Sequence, residues 1–451
     1  MLDWEAPNHL LSLTHLDGRN AHKLTSLRPY FSEFAWMKMR LAIMEKYVET
    51  QLPHYKNSLG IAEAFTPAEA KKVVGLEKTL NHDLKALEEY MISRLPSPIA
   101  SKAAPLVNFS VGSEDINNIA LGRILLDVRA QVLIPGIRAV LVSLALLAKK
   151  EKNTVMPART HGLPAGLTTF GKEIANTIIR LKDELALFSS IRLSAKFSGE
   201  VGTFHAASQS GTQRDWMAFS DSFIRSMGLV PHHGATQIVP YDTLAGYLQS
   251  IFRINAILTD LCQDMWLYVL LGYLKLQKKE EEVGSAGMPH KVNPIYFEGA
   301  EGGFIMANGI IETLVRKLPL NRLQRDFSDS TVRRNLVLPF AYSLLSYQSV
   351  VEAFSRISVD RDAIAADLHA HAEVFIEPVK AILLEAGIAG AYTLLKKYSR
   401  GRIFTADELL ALTDTFSVSE EVKQKITTLV RGRGKTNPYP ARIVAEALRK
   451  K

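Results

Sequence analysis

The stretch Leu244-Ala245-Gly246-Tyr247-Leu248-Gln249-Ser250-Ile251-Phe252-Arg253-Ile254-Asn255-Ala256-Ile257-Leu258 decides the fold class. Apolar side chains recur at Leu244, Tyr247, Leu248, Ile251, Ile254, Leu258, Leu261 and Met265. Steps of three and four place them on one face of a single long helix. A second stripe runs through Ile174, Ile178, Leu181, Leu185 and Phe188. A third begins after Ser113-Glu114-Asp115, which reads as a cap with acidic first-turn residues. It continues through Leu121, Ile124, Leu125 and Val128 to an expected break or kink near Pro135. Further helices are expected at about 303–317 and 340–358. No sustained strand alternation and no repeat of fixed period are visible.

Helices of roughly 25 to 35 residues exceed the ordinary globular length of three or four turns. Each must bury its stripe against other long helices. The expected fold is all-α, with a central bundle of long helices and two smaller helical domains. The boundaries are placed at 1–115, 116–360 and 361–451. Gly, Pro and polar clusters mark connections at Pro157 to Ala165, Gly199 to Gly211, His232 to Asp242 and Gly284 to Pro294. In a bundle these gather at helix ends, where sites are built.

The 451 residues are 47% hydrophobic and 22% charged, as in an ordinary globular protein. Cys262 is the only cysteine, which excludes a disulfide framework and a thiolate cluster and reads as a small core residue. Asp3 and Glu5 sit where a signal peptide would carry its basic region. The apolar run Ala139 to Ala148 is too short to span a bilayer. The expectation is a soluble cytoplasmic protein. The net charge of +8 is concentrated at one end. From Arg431 to Lys451 seven basic residues face Glu446 alone, giving +6. The chain as a whole is therefore not a nucleic-acid binder by charge, and the tail reads as a solvated surface.

The segment Gly284-Ser285-Ala286-Gly287-Met288-Pro289-His290-Lys291-Val292-Asn293-Pro294 joins a hydroxyl, a cation and an amide within nine positions. Glycines loosen the backbone around Ser285, and prolines stiffen the residues after it. A mobile hydroxyl beside a fixed ammonium suits removal of a proton from a carbon next to a carboxylate. His161, in Arg159-Thr160-His161-Gly162, lies in a polar hinge before a helix. It reads either as a general acid toward a leaving nitrogen or as a loop histidine satisfying backbone groups. Asn81-His82-Asp83 is also an ordinary capping sequence. Gln237 reads equally well as a helix-entry side chain. Ser330 and Arg334 are four apart and share a face if helical, which suits a phosphate. Arg325 can hold a carboxylate with two parallel hydrogen bonds, or belong to a salt-bridged surface helix. His369-Ala370-His371 and His232-His233 lack partners at metal-ligand spacing and read as structural.

The Ser285 segment resembles the signature loop of the fumarase/aspartase superfamily. Together with Asp17-Gly18-Arg19, Ser113-Glu114-Asp115-Ile116-Asn117-Asn118 and Gln324 to Asn335, it resembles the adenylosuccinate lyase family in order and spacing over most of the chain. The resemblance implies β-elimination of fumarate from an N-succinyl substrate, without cofactor or catalytic metal. It implies Ser285 as base, Lys291 and Asn293 as carbanion stabilisers, and His161 as acid, paired with Thr160 and oriented by Glu298. It implies substrate contacts at Arg19, Asn20, His82, Asp83, Ser113, Gln237, Arg325, Ser330 and Arg334. It also implies a homotetramer whose sites draw on three subunits.

Seven positions depart from the family pattern. Asn20 replaces a tyrosine, Asn108 a histidine, Gly112 a threonine, Leu163 a glutamine, Ala286 a second serine and Gly299 an asparagine. Glu200 stands where a small residue is usual. Two catalytic readings are open: adenylosuccinate cleavage with remade contacts, or a paralogue releasing fumarate from another N-succinyl amine. A third is a non-catalytic nucleotide-binding homologue, which the retained Ser285, Lys291 and His161 oppose.

Overall fold

The computed structural model describes residues 9–56, 58–210, 213–278, 281, 287–432 and 437–449. It divides into two compact units. Unit 1 comprises Met1–Gly136, Leu185–Ala256 and Gly303–Leu345; unit 2 comprises Ile137–Glu184, Ile257–Gly302 and Ser346–Lys451. The boundaries between them fall inside long helices.

The stripe from Leu244 to Met265 lies on the helix Asp242–Leu270, 29 residues long. All eight of its apolar positions are buried. Cys262, on the same helix, is buried too, and its thiol is pushed up to about 12 by burial. The second stripe lies on Phe170–Ser190, where Ile174, Ile178, Leu181 and Phe188 are buried.

The third helix does not break at Pro135. It runs as Ser113–Val128, passes through a π turn at Arg129–Leu133 and continues as Ile134–Lys150. Proline lacks an N–H and its ring crowds the carbonyl four residues earlier. A single widened turn just before it absorbs both problems without ending the helix. The helix Ile295–Lys317 starts directly after Pro294, whose carbonyl accepts from Phe297 N at 3.0 Å. Val337–Ser355 ends where Ile357–Val359 pairs antiparallel with Leu274–Leu276.

Strands are present where the sequence showed no alternation. Val155–Thr160 and Leu163–Thr169 form an antiparallel hairpin in unit 2. The segment read as a hinge, Arg159 to Gly162, is the hairpin's tip. His161 and Gly162 have φ of 54° and 80°, so both central residues of the two-residue turn lie in the left-handed region. A tight hairpin turn of type I′ requires that conformation. Pro157, Pro164, Gly166 and a register shift between Ala158 and Arg159 hide the period-2 pattern.

The basic tail is structured in its described parts. In Glu420–Arg431, Ile426 and Val430 are buried; in Tyr439–Arg449, Val444 and Ala447 are buried. Lys182 Nζ donates to the Ala447 carbonyl at 2.8 Å, a cation at a helix C-terminus.

Candidate active site

In unit 1 the N-terminal end of Ser113–Val128 and the segment Arg325 to Val337 face each other across a cavity of about 280 Å³. His82, Asp83, Ser113, Arg325, Ser330 and Arg334 line it, so six of the expected substrate residues meet there. Phe31, Trp36 and Phe327 supply apolar wall.

The helix behind Ser113 is capped differently from the expectation. Gly112 is the N-cap and Ser113 the first helical residue. Asp115 reaches back to accept the Gly112 N–H at 2.8 Å. This frees the Ser113 hydroxyl from capping and leaves it at the cavity wall. Asp115 also accepts from Ser198 N at 2.9 Å and Gly199 N at 3.0 Å. Burial pushes its carboxyl above the usual carboxylate range, against the pull of Lys196 and of these N–H groups.

Glu114 organises the arginines. Its buried carboxylate pairs with Arg333 at 3.1 Å and Arg325 at 3.2 Å, and accepts from Asn117 at 2.9 Å. Burial works to raise this carboxyl, but Arg333 and Arg325 more than offset it, so it lies below its ordinary value of 4.5. Arg333 also donates to Tyr241 Oη at 2.9 Å, and Tyr241 donates to Asp329 at 2.9 Å. Burial raises the Tyr241 phenol, so it remains a donor at neutral pH. Arg334 has no recorded acidic partner among the described residues. Its backbone N–H bonds the Ser330 carbonyl at 3.2 Å, which keeps the two side chains on one face as the spacing predicted. The cavity therefore presents one uncommitted guanidinium beside a hydroxyl.

His82 is the N-cap of Asp83–Arg94, its Nδ1 accepting from Lys85 N at 3.2 Å. The capping role and the cavity position coincide. Asp83 is held at 2.6 Å by Arg40, whose side chain is wholly buried. Gln237 sits beside Arg325, accepting from it at 3.4 Å. Asn20 bonds His15 at 2.9 Å and Arg19 is exposed; neither lines the cavity in this chain.

The other expected residues lie in unit 2. Thr160 and His161 occupy the hairpin tip. Lys291 is exposed in the segment before Ile295–Lys317. Asn293 lines a cleft of about 80 Å³ with Tyr296 and Arg356. Glu298 accepts from Trp266 Nε1 at 3.1 Å, and among the described residues no hydrogen bond joins it to His161. Ser285 and Ala286 lie outside the described residues. His371 is engaged by Glu373 at 2.7 Å, in keeping with its structural reading.

Glu114, Asn117 and Arg333 were not singled out from sequence. Glu114 and Asn117 are three apart on the same helix face as Ser113's wall, which is the one signal that pointed to them.

Two family models match the chain: one described as Lyase over residues 38–308, and one as Adenylosuccinate lyase C-terminal over 321–433. The adenylosuccinate lyase of Legionella pneumophila (strain Corby) is 37% identical over 434 residues, covering 93% of this chain and 95% of that protein. That of Escherichia coli (strain K12) is 32% identical, with 93% and 95% covered. Among solved structures, a fumarate lyase from Mesorhizobium sp. BNC1 superposes with a TM-score of 0.73 at 17% identity, covering 94% of this chain and 97% of that one. The 3-carboxy-cis,cis-muconate lactonizing enzyme from Pseudomonas putida superposes with 0.71 at 18%, with the same coverage. These structural likenesses bear on the fold, which is the all-α lyase fold expected from the long stripes.

Proposed function

The chain belongs to the adenylosuccinate lyase family of the fumarase/aspartase superfamily, and we propose on that premise that it cleaves adenylosuccinate to AMP and fumarate in purine biosynthesis. It is a carbon–nitrogen lyase of the cytoplasm. The observation that carries the substrate is the unit 1 cavity, where Arg334 and Ser330 stand free for a phosphate while Arg325 and Arg333 are committed to Glu114.

Ser285, as alkoxide, removes the proton from the carbon adjacent to both the nitrogen-bearing carbon and a carboxylate. The electron pair passes through a carboxylate-stabilised carbanion to form the fumarate double bond as the C–N bond breaks. Lys291 and Asn293 hold the negative charge, and His161 protonates the departing nitrogen. Thr160 stands beside His161, Ser113 takes a succinyl carboxylate, and Arg19 and Asn20 complete the phosphate end. Glu298 supports His161 from a neighbouring copy, since within unit 2 it is bonded to Trp266.

Assembly into a homotetramer accounts for the apolar surface of the long helices. Ser113–Lys150 carries an 18-residue window of mean hydropathy 2.0 that is only 28% buried. Val142, Leu146, Leu267 and Leu270 are exposed. Other copies of the chain would cover such a surface.

The test is fumarate release from adenylosuccinate by the purified protein and by Ser285→Ala. Loss of turnover by at least about a thousandfold with adenylosuccinate still bound supports the reading. Full activity in Ser285→Ala removes the base assignment, and silence of the wild type removes the substrate.

A further inference from the structure

Gly112 and Glu200 share one space. A side-chain carbon added at Gly112 would lie 3.2 Å from the Glu200 backbone N, Cα and carboxyl carbon. Both positions are fastened by the same group, because Asp115 accepts the N–H of Gly112 and of Gly199. Neither can drift without breaking a buried hydrogen bond, so their packing is a fixed feature of unit 1.

The Glu200 carboxylate then acts on the site. It accepts from Gln237 Nε2 at 3.0 Å, while Gln237 Oε1 accepts from Arg325 at 3.4 Å. Glu200 can only accept when ionised, and Arg325 can only donate. Between them they fix which end of the Gln237 amide faces the cavity arginine. No cation lies within ion-pair distance of Glu200 among the described residues, so its charge is uncompensated there.

We propose that Glu200, working with Gly112, is a specificity-determining residue. It fills the place of a side chain next to Ser113 and sets a negative charge at the cavity edge. It also withdraws the Gln237 amino group from substrate. A succinyl carboxylate at this edge is repelled, and an N-succinyl amine that offers a hydrogen-bond donor there is favoured. The proposal rests on the reading of the cavity as the substrate site of a fumarate-releasing lyase.

Steady-state fumarate release from adenylosuccinate, compared across Glu200→Gln, Glu200→Ala, Gly112→Thr and Gly112→Thr/Glu200→Ala, tests it. Glu200→Gln keeps the volume and an acceptor for Gln237 but removes the charge. It lowers KM about fivefold, and the gain shrinks in high salt. Gly112→Thr collides with Glu200 and lowers kcat/KM by about tenfold or more, while the double variant recovers at least to wild type. An unchanged KM in Glu200→Gln overturns the proposal, whatever the folding of the threonine variants. If the wild type releases no fumarate, the proposed function fails, and the Glu200→Gln comparison is read instead as the Kd for adenylosuccinate. Equal Kd values then overturn the Glu200 assignment separately.

Discussion

Asp115 and Lys196 meet at 3.0 Å with both side chains wholly excluded from solvent. Each charge is tolerated there only because the other is present and because backbone groups saturate what remains. Asp115 takes three backbone N–H groups, and Lys196 Nζ donates to the Gly199 carbonyl. Lys196→Met leaves a buried carboxylate unpaired. The expected cost is about 3–5 kcal/mol in urea unfolding, the range for removing one partner of a buried pair. A loss below about 1 kcal/mol means that water or backbone compensates the carboxylate. The same variant is expected to weaken catalysis, because the loop from Ser198 to Glu200 is held by this pair.

The lowered Glu114 carboxyl makes part of the stability acid-sensitive. Its folded pKa is below the ordinary 4.5, so the unfolded chain binds protons first as pH falls. The contribution is complete above about pH 4.5 and is lost as pH drops through the lowered folded value. Glu114→Gln leaves Arg325 and Arg333 short of their shared anion and should cost about 3 kcal/mol at neutral pH. The difference from wild type is expected to narrow steadily from about pH 5 down to pH 3. A difference constant over that range removes the charge pairing as its source.

Arg334 is the cavity arginine without an acidic partner among the described residues, which sets it apart from Arg325 and Arg333. Arg334→Ala should raise the KM for adenylosuccinate by about 10- to 100-fold, as loss of a charged hydrogen bond of about 1.5–3 kcal/mol implies. Inhibition by AMP should weaken in parallel, because both carry the phosphate. Arg334→Lys is expected to recover only part, since a point charge replaces a planar fork. Steady-state kinetics with AMP as product inhibitor decides it, and unchanged AMP inhibition places the phosphate elsewhere.

The sequence made the long helices legible because their stripes are wide and end at prolines and capping residues. Leu244 to Met265 translated directly into buried positions. The hairpin tip was opaque for a local reason. His161-Gly162 is not the Asn-Gly or Asp-Gly pair that announces a type I′ turn, and prolines interrupt both strands. Gly112 as N-cap was hidden because its capping bond runs from backbone to Asp115, not from a side chain of its own. Glu114 looked like a solvated acid answering the helix dipole. Its partners are more than two hundred residues away in sequence, and only the fold brings Arg325 and Arg333 to it. Glu200 carried a signal, an acid where a small residue is usual, yet its link to Gly112 is a matter of three-dimensional packing alone.

Gly202 makes the loop that carries Glu200 possible, and it does so in two ways. Its φ of +79° lies in the left-handed region, and an added Cβ would stand 2.3 Å from the Ala235 carbonyl oxygen. That oxygen is backbone and cannot swing aside. Moving it would shift Thr236 and Gln237, and Thr236 is itself tied to the Gln324 carbonyl at 2.7 Å. Gly202→Ala therefore strains one segment bearing Glu200 and another bearing Gln237. Backbone strain of this kind costs about 1–3 kcal/mol, and the collision adds to it. The expected result is a drop in unfolding midpoint together with a kcat/KM change that parallels the Glu200 variants. Gly60→Ala is the control, because its φ is +63° but nothing lies near an added Cβ. It should cost stability through strain alone and leave kcat/KM unaltered. Equal effects of the two substitutions on catalysis would detach the loop from the site.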